Sequence, residues 1–306
     1  MQINSATLNA LRVKFSGIYS KAYDLTPNWY DKVSTTVPSD GHSGVYGWMA
    51  NLPSMREWLG ERQIANLHEY DYVLPNRRFE LTYGVNRDHM KDDLLGTYAM
   101  AFQNLGRQTK KHPDELVRDA MRGGQSSKVL FTGAPYFSTS HYIDPTNPGL
   151  GTYANYSASG MALTPANYEA VRAIMQNYKG ENGLPLGIMP NLLVVPPHLE
   201  PAAKRILKME LIPNAAGTAT ESNPNVGTAD YVVAPDLGVD TTTWYLMDTS
   251  RGIMPFIYQL REATEFAMIT GANDIPVFKE NKYWFGSTIR DNVGYTLPFL
   301  CYKAVA

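Results

Sequence analysis

One stretch, from Asp88 to Gly123, constrains the fold more than any other because nearly all of its signals are helical. A straight helix of this length would span about 54 Å, which is about the diameter of a compact globule of 306 residues. Pro113 predicts either a kink or the start of a second helix. The stretch therefore predicts an elongated subunit crossed by one helix, or a kinked pair of core helices. Its apolar residues recur at helical spacing and form one stripe: Leu94, Tyr98, Ala101, Leu105, Leu116 and Ala120.

Composition argues against several classes of function. The net charge of -2 argues against a dedicated nucleic-acid binder, which normally carries a basic stripe. The single cysteine, Cys301, excludes an internal disulfide and a multi-cysteine metal site. No apolar run is long enough to span a membrane, and the first residues lack the apolar block of a secretory signal. We therefore expect a soluble protein made inside the cell, and the 20 tyrosines favour one rich in interfaces.

Two N-terminal segments carry apolar side chains that need a covering surface. Residues 1–40 scatter large aromatic side chains without clean periodicity and resemble an arm that lies on its own subunit or on a neighbour. Farther along, the alternation of Phe79, Leu81 and Tyr83 predicts the second strand of a two-stranded hairpin, with its turn at residues 75–76. An isolated hairpin is marginal in water, so we expect a neighbouring subunit to cover its apolar face.

The remainder of the chain mixes helices and strands. Thr164 predicts the N-cap of a helix, and residues 191–197 and 201–209 predict a buried strand and a second helix, which together indicate a small α/β unit. From Tyr231 onward the signals are strands, with a turn at residues 291–294, and we expect these strands to join the sheet beside the long helix. The predicted inward stripe of the first helix consists of Tyr168, Val171, Ile174 and Met175.

A search for chemistry finds no active site. The six histidines are each separated by more than twenty residues, so no local pair of metal ligands exists. No Walker motif, nucleophile elbow or zinc signature occurs. Glu57 and Glu61, which are bracketed by arginines, are predicted to form solvated ion pairs. We therefore expect no catalytic residue, no cofactor and no metal, and the alternative is a soluble α/β hydrolase whose composite site is not visible in the sequence.

Several segments resemble the major head subunit of Mu-like phages and prophages. They include YGWMANLPSMREWLGERQIANL, FELTYGVNRD and DDLLGTYAMAFQNLG, and they continue through LLVVPPHLEPAAKRIL to YWFGSTIRDNVGY near the C-terminus. The resemblance implies an α+β chain with the Hong Kong 97-type tailed-phage capsid fold. It also implies a division into an N-terminal arm (1–40), an extended hairpin loop (41–87), a peripheral domain with the spine helix (88–163 and 245–306) and an inserted axial domain (164–244).

The function implied by this resemblance is that of a major capsid protein. Such a chain self-assembles into hexamers and pentamers that form the icosahedral head shell around the double-stranded DNA of a phage. The implied partners are copies of the same chain, with scaffold, portal and decoration proteins as candidates, and the implied location is the virion, assembled in the bacterial host cytoplasm. Near-neutral charge keeps repulsion between copies low, so we expect the wall to contain the DNA, with only non-specific contact and no basic binding patch.

Seven side chains are candidate contacts between subunits. Large aromatic and aliphatic residues are typical buried anchors of interfaces, and arginines at an exposed tip are typical of salt-sensitive bridges. The alternative for the two tryptophans is a place in the core of their own subunit. The candidate anchors are Trp48, Trp58, Phe79, Leu81 and Tyr83, and the candidate bridges are Arg77 and Arg78 at the predicted hairpin tip.

Overall fold

The computed structural model describes residues 5–49, 69–91, 96–127, 130–180, 183–213, 220–271 and 273–306. The helices are α1 (Ser5–Leu25), α2 (Arg87–Lys91), α3 (Thr97–Gly123), α4 (Pro165–Gln176), α5 (Glu200–Lys208) and α6 (Ile275–Glu280). The strands are β1 (Ser34–Pro38), β2 (Ser43–Met49), β3 (Glu69–Pro75), β4 (Arg77–Asn86), β5 (His141–Tyr142), β6 (Thr152–Tyr153), β7 (Tyr156–Ser157), β8 (Leu192–Val195), β9 (Leu211–Pro213), β10 (Thr220–Ser222), β11 (Asp230–Val233), β12 (Thr243–Met247), β13 (Phe256–Ile269), β14 (Lys282–Tyr295) and β15 (Cys301–Val305).

The long helix α3 has 27 residues, which corresponds to about 40 Å. It passes through Pro113 without a break, so the predicted alternative of a second helix starting there is wrong. The predicted length is also too great, because residues 87–91 form the separate helix α2 and residues 92–95 lie outside the described part. The predicted stripe is confirmed at Leu105 and Leu116, which are buried, and Leu94 lies outside the described residues.

Helix α1 accounts for most of the predicted arm and packs along α3. The rings of Phe15 and Phe102 lie 4.2 Å apart, and the backbone of Tyr19 crosses directly over Gly106. These contacts advance by four residues on both helices, so the two helices run parallel. The aromatic side chains of this part of the arm are therefore covered by their own chain.

The first sheet has four strands in the order β1-β13-β14-β4, with β1 parallel to β13 and the other pairs antiparallel. Strand β4 pairs with β14 from Arg77 opposite Asp291 to Asn86 opposite Lys282. The predicted pairing of β4 with the preceding strand is therefore wrong, although the strand itself is confirmed. The alternating apolar residues of β4 face the aromatic cluster between this sheet and the helices α1 and α3.

Strand β3 pairs instead with β2, in a two-stranded antiparallel ribbon that runs from Ser43 opposite Pro75 to Met49 opposite Glu69. Each strand has seven residues, which gives the ribbon a length of about 23 Å. Residues 50–68 connect the two strands and lie outside the described residues, as does Trp58 within them. The two strands of the ribbon lie within residues 41–87, the range of the predicted extended hairpin loop.

The second sheet has five strands in the order β11-β8-β12-β15-β7 and packs against α4 and α5. The hydroxyl of Thr164 accepts a hydrogen bond from the backbone N–H of Asn167 at 3.2 Å, which confirms the predicted N-cap of α4. Tyr168, Val171 and Met175 are buried as predicted. Ile174 is exposed, because it lies outside the narrow stripe of buried residues on α4.

Two predictions about the C-terminal strands are wrong. Strands β11, β12 and β15 join the five-stranded sheet with β8, and only β13 and β14 join the sheet beside α3. The predicted turn at residues 291–294 is absent because β14 continues to Tyr295 and buries Asp291 completely. The residue types in this segment favour a turn. Here their side-chain hydrogen bonds hold the segment in the strand instead.

A buried polar cluster fastens the irregular segment 130–155 to the five-stranded sheet. The amide of Asn155 donates to the backbone oxygens of Tyr136 (2.8 Å) and Pro298 (2.9 Å). Its Oδ1 lies 3.0 Å from Nε2 of His141, whose Nδ1 lies 2.7 Å from the hydroxyl of Thr132. Burial lowers the pKa of His141 to about 4, so its ring is neutral at pH 7.

Candidate assembly surfaces

The root of the β2–β3 ribbon is held by the side chain of Gln259 on β13, which is fully buried. Its Nε2 donates to the backbone oxygen of Leu74 (3.1 Å) and to Oδ1 of Asn76 (2.6 Å). Its Oε1 accepts a hydrogen bond from the hydroxyl of Tyr46 at 2.7 Å. A buried amide is costly unless its partners are supplied, and here both of its ends are satisfied by the ribbon.

Two asparagines extend this attachment to both sides of the root. Asn76 donates to the hydroxyl of Ser39 (3.0 Å) and to the backbone oxygen of Gly41 (2.9 Å). Asn292 on β14 donates to the backbone oxygen of Pro75 at 2.6 Å. The direction in which the ribbon leaves the body is therefore fixed by side-chain amides, while Val73 farther along is exposed.

A groove of about 340 Å³ lies between β4 and α3. Phe79, Leu81 and Tyr83 all line it and are half-buried, so their own helix α3 covers part of the face that was predicted to need a neighbour. The ring of Phe79 lies between the guanidinium of Arg77 (4.9 Å) and the ring of His112 (4.3 Å). The groove remains open, so these three side chains keep an accessible edge.

Arg77 and Arg78 begin β4 and lie opposite Asp291 and Arg290 in the C-terminal half of β14, which corrects their predicted position at a hairpin tip. The guanidinium of Arg78 lies 3.2 Å from Oε2 of Glu262, and that of Arg290 lies 3.0 Å from Oε1. The hydrogen bond from Arg290 and the charges of both arginines hold the pKa of the Glu262 carboxyl below its usual range. Arg78 therefore already has a partner in its own chain, in an exposed pair of small energetic weight.

The groove also contains the residue types of a hydrolase, but not in a working arrangement. Nε2 of His112 lies 3.2 Å from the carboxylate of the buried Asp291, which accepts a second hydrogen bond from Tyr258. The hydroxyl of Ser287 pairs with the hydroxyl of Tyr19 at 3.0 Å and not with the histidine. A catalytic triad needs a contact between nucleophile and base, and this geometry does not provide it.

The other perturbed groups have packing roles. Burial raises the pKa of Asp114 to about 6, against the opposing effect of hydrogen bonds that its Oδ1 accepts from the backbone of Trp29 and Tyr30, both at 2.9 Å. Burial also raises the pKa of the Cys301 thiol well above its usual value, which makes it inert as a nucleophile. Within the described residues, no group of three or more His, Cys, Asp or Glu could hold a metal ion.

An exposed apolar patch lies at the end of the β13–β14 hairpin, which α6 caps. Four exposed apolar side chains lie in this region, here named the distal patch: Ile269 (40% exposed), Ile275 (70%), Phe278 (81%) and Trp284 (37%). Ile269 and Trp284 are cross-strand partners, and Val277 of α6 faces the core. Sequence reasoning missed the patch, although the apolar segment 275–278 between two strands was a visible signal.

The described helices include none that is long and apolar enough to cross a membrane.

The ribbon, the long helix and the two sheets make up a chain of mixed helices and strands, and comparison with known families shows which family it belongs to. Residues 8–162, 146–237 and 236–306 match the family described as Mu-like prophage major head subunit gpT. The chain belongs to this family. It is similar to the major capsid protein of Escherichia phage Mu, with 26% identity; the match covers 76% of this chain and 99% of that protein. A Mu-like prophage major head subunit of Haemophilus influenzae is 25% identical over 288 residues, covering 94% of this chain and 70% of that protein.

Solved structures of phage particles are also similar to this chain. The procapsid of bacteriophage JBD30 matches with a TM-score of 0.59 and 27% identity, and the match covers 99% of this chain and 76% of that one. The JBD30 capsid matches with a TM-score of 0.58 and 25% identity, covering 78% and 100%. A virus-like particle from Pyrococcus furiosus, at 8% identity and a TM-score of 0.57, covers 95% of this chain and 98% of that one and shows the fold alone.

These findings confirm the predicted family and the predicted α+β, Hong Kong 97-type capsid fold. The chain is a major capsid protein of the Mu-like type and a structural component of the virion, not an enzyme, and the hydrolase alternative has no support. Its principal partners are copies of itself in a shell. The part of the chain that makes those contacts is not identified by the family, and the candidate contact residues stay predictions.

Proposed function

We propose that this chain forms the hexamers and pentamers of a closed icosahedral head shell that encloses double-stranded DNA. The supporting observation is the similarity to the JBD30 procapsid over 99% of the chain. Closed shells follow when one surface of a subunit binds a different surface of the next around rotation axes. The shell is assembled in the host cytoplasm, with scaffold and portal proteins as further partners. A decoration protein is also proposed, since a JBD30 capsid 26% identical to this chain is decorated with minor capsid protein trimers.

The proposed domain division follows the sequence prediction with two changes. The arm (1–40) and the spine helix α3 keep their roles, but the extended loop ends at Pro75 because β4 belongs to the four-stranded sheet. The axial domain (164–244) gains β12 and β15, because both strands pair within the five-stranded sheet. The peripheral domain is then built on α3, β4, β13 and β14.

The β2–β3 ribbon is the proposed reach of one subunit over its neighbour. Its root is attached to the body, and the exposure of Val73 beyond the root supports contact with another copy. Trp48 and Trp58 are proposed as anchors of that contact. The side chain of Trp48 and the whole of Trp58 lie outside the described residues, so the proposal for both rests on their residue type and position.

The groove residues Phe79, Leu81 and Tyr83, together with Arg77, are proposed to receive part of a neighbouring copy. Charge reversal of Arg77 and Arg78 is expected to impair shell formation while the subunit still folds. Because Arg78 pairs with Glu262 within the chain, the matched control is Glu262→Gln, which breaks the internal pair and leaves both arginines. Wild-type particle yield from the doubly reversed variant would contradict a role for these arginines.

The experiment that tests the proposed function is electron microscopy of the full chain after size-exclusion chromatography, expressed alone and together with the other head genes. We expect megadalton, hollow particles in at least one condition. A chain that remains monomeric in both conditions at high concentration would contradict the proposal.

A further inference from the structure

The segments of α1 and α3 that pack together are positively charged, although the whole chain has a net charge of -2. Residues 5–23, within α1, and residues 97–113, within α3, contain six basic side chains and no acidic one. The remaining chain then holds 21 basic and 29 acidic residues, an excess of eight negative charges. The basic layer consists of Arg12, Lys14, Lys21, Arg107, Lys110 and Lys111.

The cations of the basic layer have no acidic partners in the part of the chain that the structure describes. Lys110 lies 4.8 Å above the ring of Tyr23, which attaches it to the α1–α3 contact, and the other five form no ion pair with described residues. Some cations elsewhere are paired, as Arg78 and Arg290 are with Glu262, and others, such as Lys204 and Arg205, form no ion pair with described residues. The six cations of the basic layer differ from the others in lying on acid-free segments of two helices that pack side by side.

The positions of these cations suit an extended anion. On α3, Arg107 and Lys111 are one turn apart, and Arg118 and Arg122 continue the same side, within about 60° around the helix axis and over about 22 Å. Arg118 and Arg122 are neutralised by Asp119 and Asp240, so the free part of the stripe is its N-terminal half. On α1, Lys14 and Lys21 are exposed and two turns apart on one side.

We propose that the basic layer is the inner face of the shell and contacts the phosphates of the packaged double-stranded DNA. This inference rests on the proposed function, since only a closed shell has an inner face. Duplex DNA carries about one negative charge per 1.7 Å of its length, and sequence-independent binding needs rows of exposed lysine and arginine rather than a pocket. The basic layer differs from the expected wall without a basic patch, because the total charge of -2 is a sum over segments of unlike charge.

The test compares a variant with Lys14, Lys21, Arg107 and Lys111 all changed to Gln against the wild-type chain, both unassembled. The probe is a fluorescent 30-base-pair duplex, and binding is measured by anisotropy from low to moderate salt. We expect the variant to bind at least about tenfold more weakly and its salt slope to fall by about 3.6, since each of the four lost phosphate contacts contributes about 0.9. Unchanged affinity and slope in a folded variant would overturn the proposal.

Two matched variants separate charge from fold. Arg107→Lys with Lys111→Arg keeps the charge and is expected to bind as the wild type does. Lys204→Gln with Arg205→Gln removes two exposed cations of α5 and is expected to leave binding unchanged. Equal losses in the α5 variant would mean that any surface cation contributes, which also overturns the proposal.

Two further measurements address the partner and the face. Poly-glutamate, as a probe for an acidic protein, is expected to compete weakly per unit charge, and stronger binding of it than of DNA would replace DNA with a protein partner. Closed wild-type shells are expected not to bind duplex added from outside, and binding equal to that of free subunits would place the layer outside. Salt-dependent binding by subunits that never form particles would instead count against the proposed function alone.

Discussion

Single side chains that are buried far from their sequence neighbours determine much of this structure. Asp291 lies in a segment typical of a turn, yet its carboxylate binds Tyr258 and His112, which are 33 and 179 residues away. Gln259 likewise meets Leu74 from 185 residues away. Local patterns carry no information about such partners, so the sequence could not predict them. Thr164 was predictable because its hydrogen bond is local.

Changing His141 to Gln is expected to flatten the decline of stability in acid. Burial lowers the pKa of His141 to about 4, so between about pH 6.5 and pH 4 the unfolded chain binds a proton that the folded chain does not. The stability contributed by neutral His141 is complete above about pH 6.5 and is lost as the pH falls toward 4, a change of about 3 kcal/mol. Chemical denaturation at several pH values measures it.

The matched control for this change is the exposed His198→Gln, which should follow the wild-type pH curve. Asp114 acts in the opposite direction, because its raised pKa contributes stability that is present below about pH 4 and lost as the pH rises through about 6. The informative quantity is therefore the difference between variant and wild type at each pH. Parallel curves for His141→Gln and the wild type would contradict the prediction.

At the scale of elements, type was predictable and pairing was not. The alternation in residues 79–85 identified β4 correctly because a half-buried strand always shows this period. The predicted partner strand of β4 was wrong, because alternation shows which face of a strand is buried and not which strand pairs with it. The single residue Asn76 between β3 and β4 leaves no room for a hairpin turn, so the chain changes sheets there. Helix α1 was missed because Phe15, Tyr19 and Ala22 form only a short buried stripe.

Gly106→Ala is expected to loosen the contact between α1 and α3. A Cβ atom at this position would lie 2.5 Å from the backbone oxygen of Tyr19, so the helices must separate. We expect a loss of about 1 to 3 kcal/mol of unfolding free energy, as for other overpacked sites. Thermal and denaturant unfolding measure it, together with proteolysis of α1.

Gly17→Ala in α1 is the matched control, since a Cβ atom there meets nothing within 4 Å. Alanine favours the helix by up to about 1 kcal/mol, so this variant should be as stable as the wild type or more so. Equal stability of Gly106→Ala and wild type would show that the helix pair is looser than its packing indicates.

At the scale of the molecule, the resemblance predicted the fold class correctly, while the division of strands between two sheets was not predictable. Strands β12 and β15 surround the β13–β14 hairpin in sequence, yet they belong to the other sheet. Strands β12 and β15 are buried on both faces, whereas β14 alternates between buried and more exposed residues. Such a pattern shows how many faces of a strand are covered and not which strands pair with it. Exposed apolar surfaces such as the distal patch have no distinctive local pattern.

The distal patch is expected to be covered by another copy of this chain. Ile275→Ser with Phe278→Ser should lower the yield of particles without lowering the unfolding temperature of the subunit, because both side chains are exposed in it. Negative-stain microscopy and calorimetry measure the two effects. The control is Val239→Ser, which removes an equally exposed apolar side chain (73%) before β12. Normal particle yield from the double variant would exclude the patch as an assembly contact.

The attachment at Gln259 has a consequence for how identical chains fit positions of different curvature. Over a ribbon of about 23 Å, a tilt of about 10° at the base displaces the far end by about 4 Å. Because a fully satisfied buried amide resists such a tilt, we expect each copy to aim its ribbon at nearly the same angle from its body. In the proposed shell, the differences between hexameric and pentameric surroundings would then be accommodated by bending of the ribbon beyond Leu74, while its root keeps one orientation.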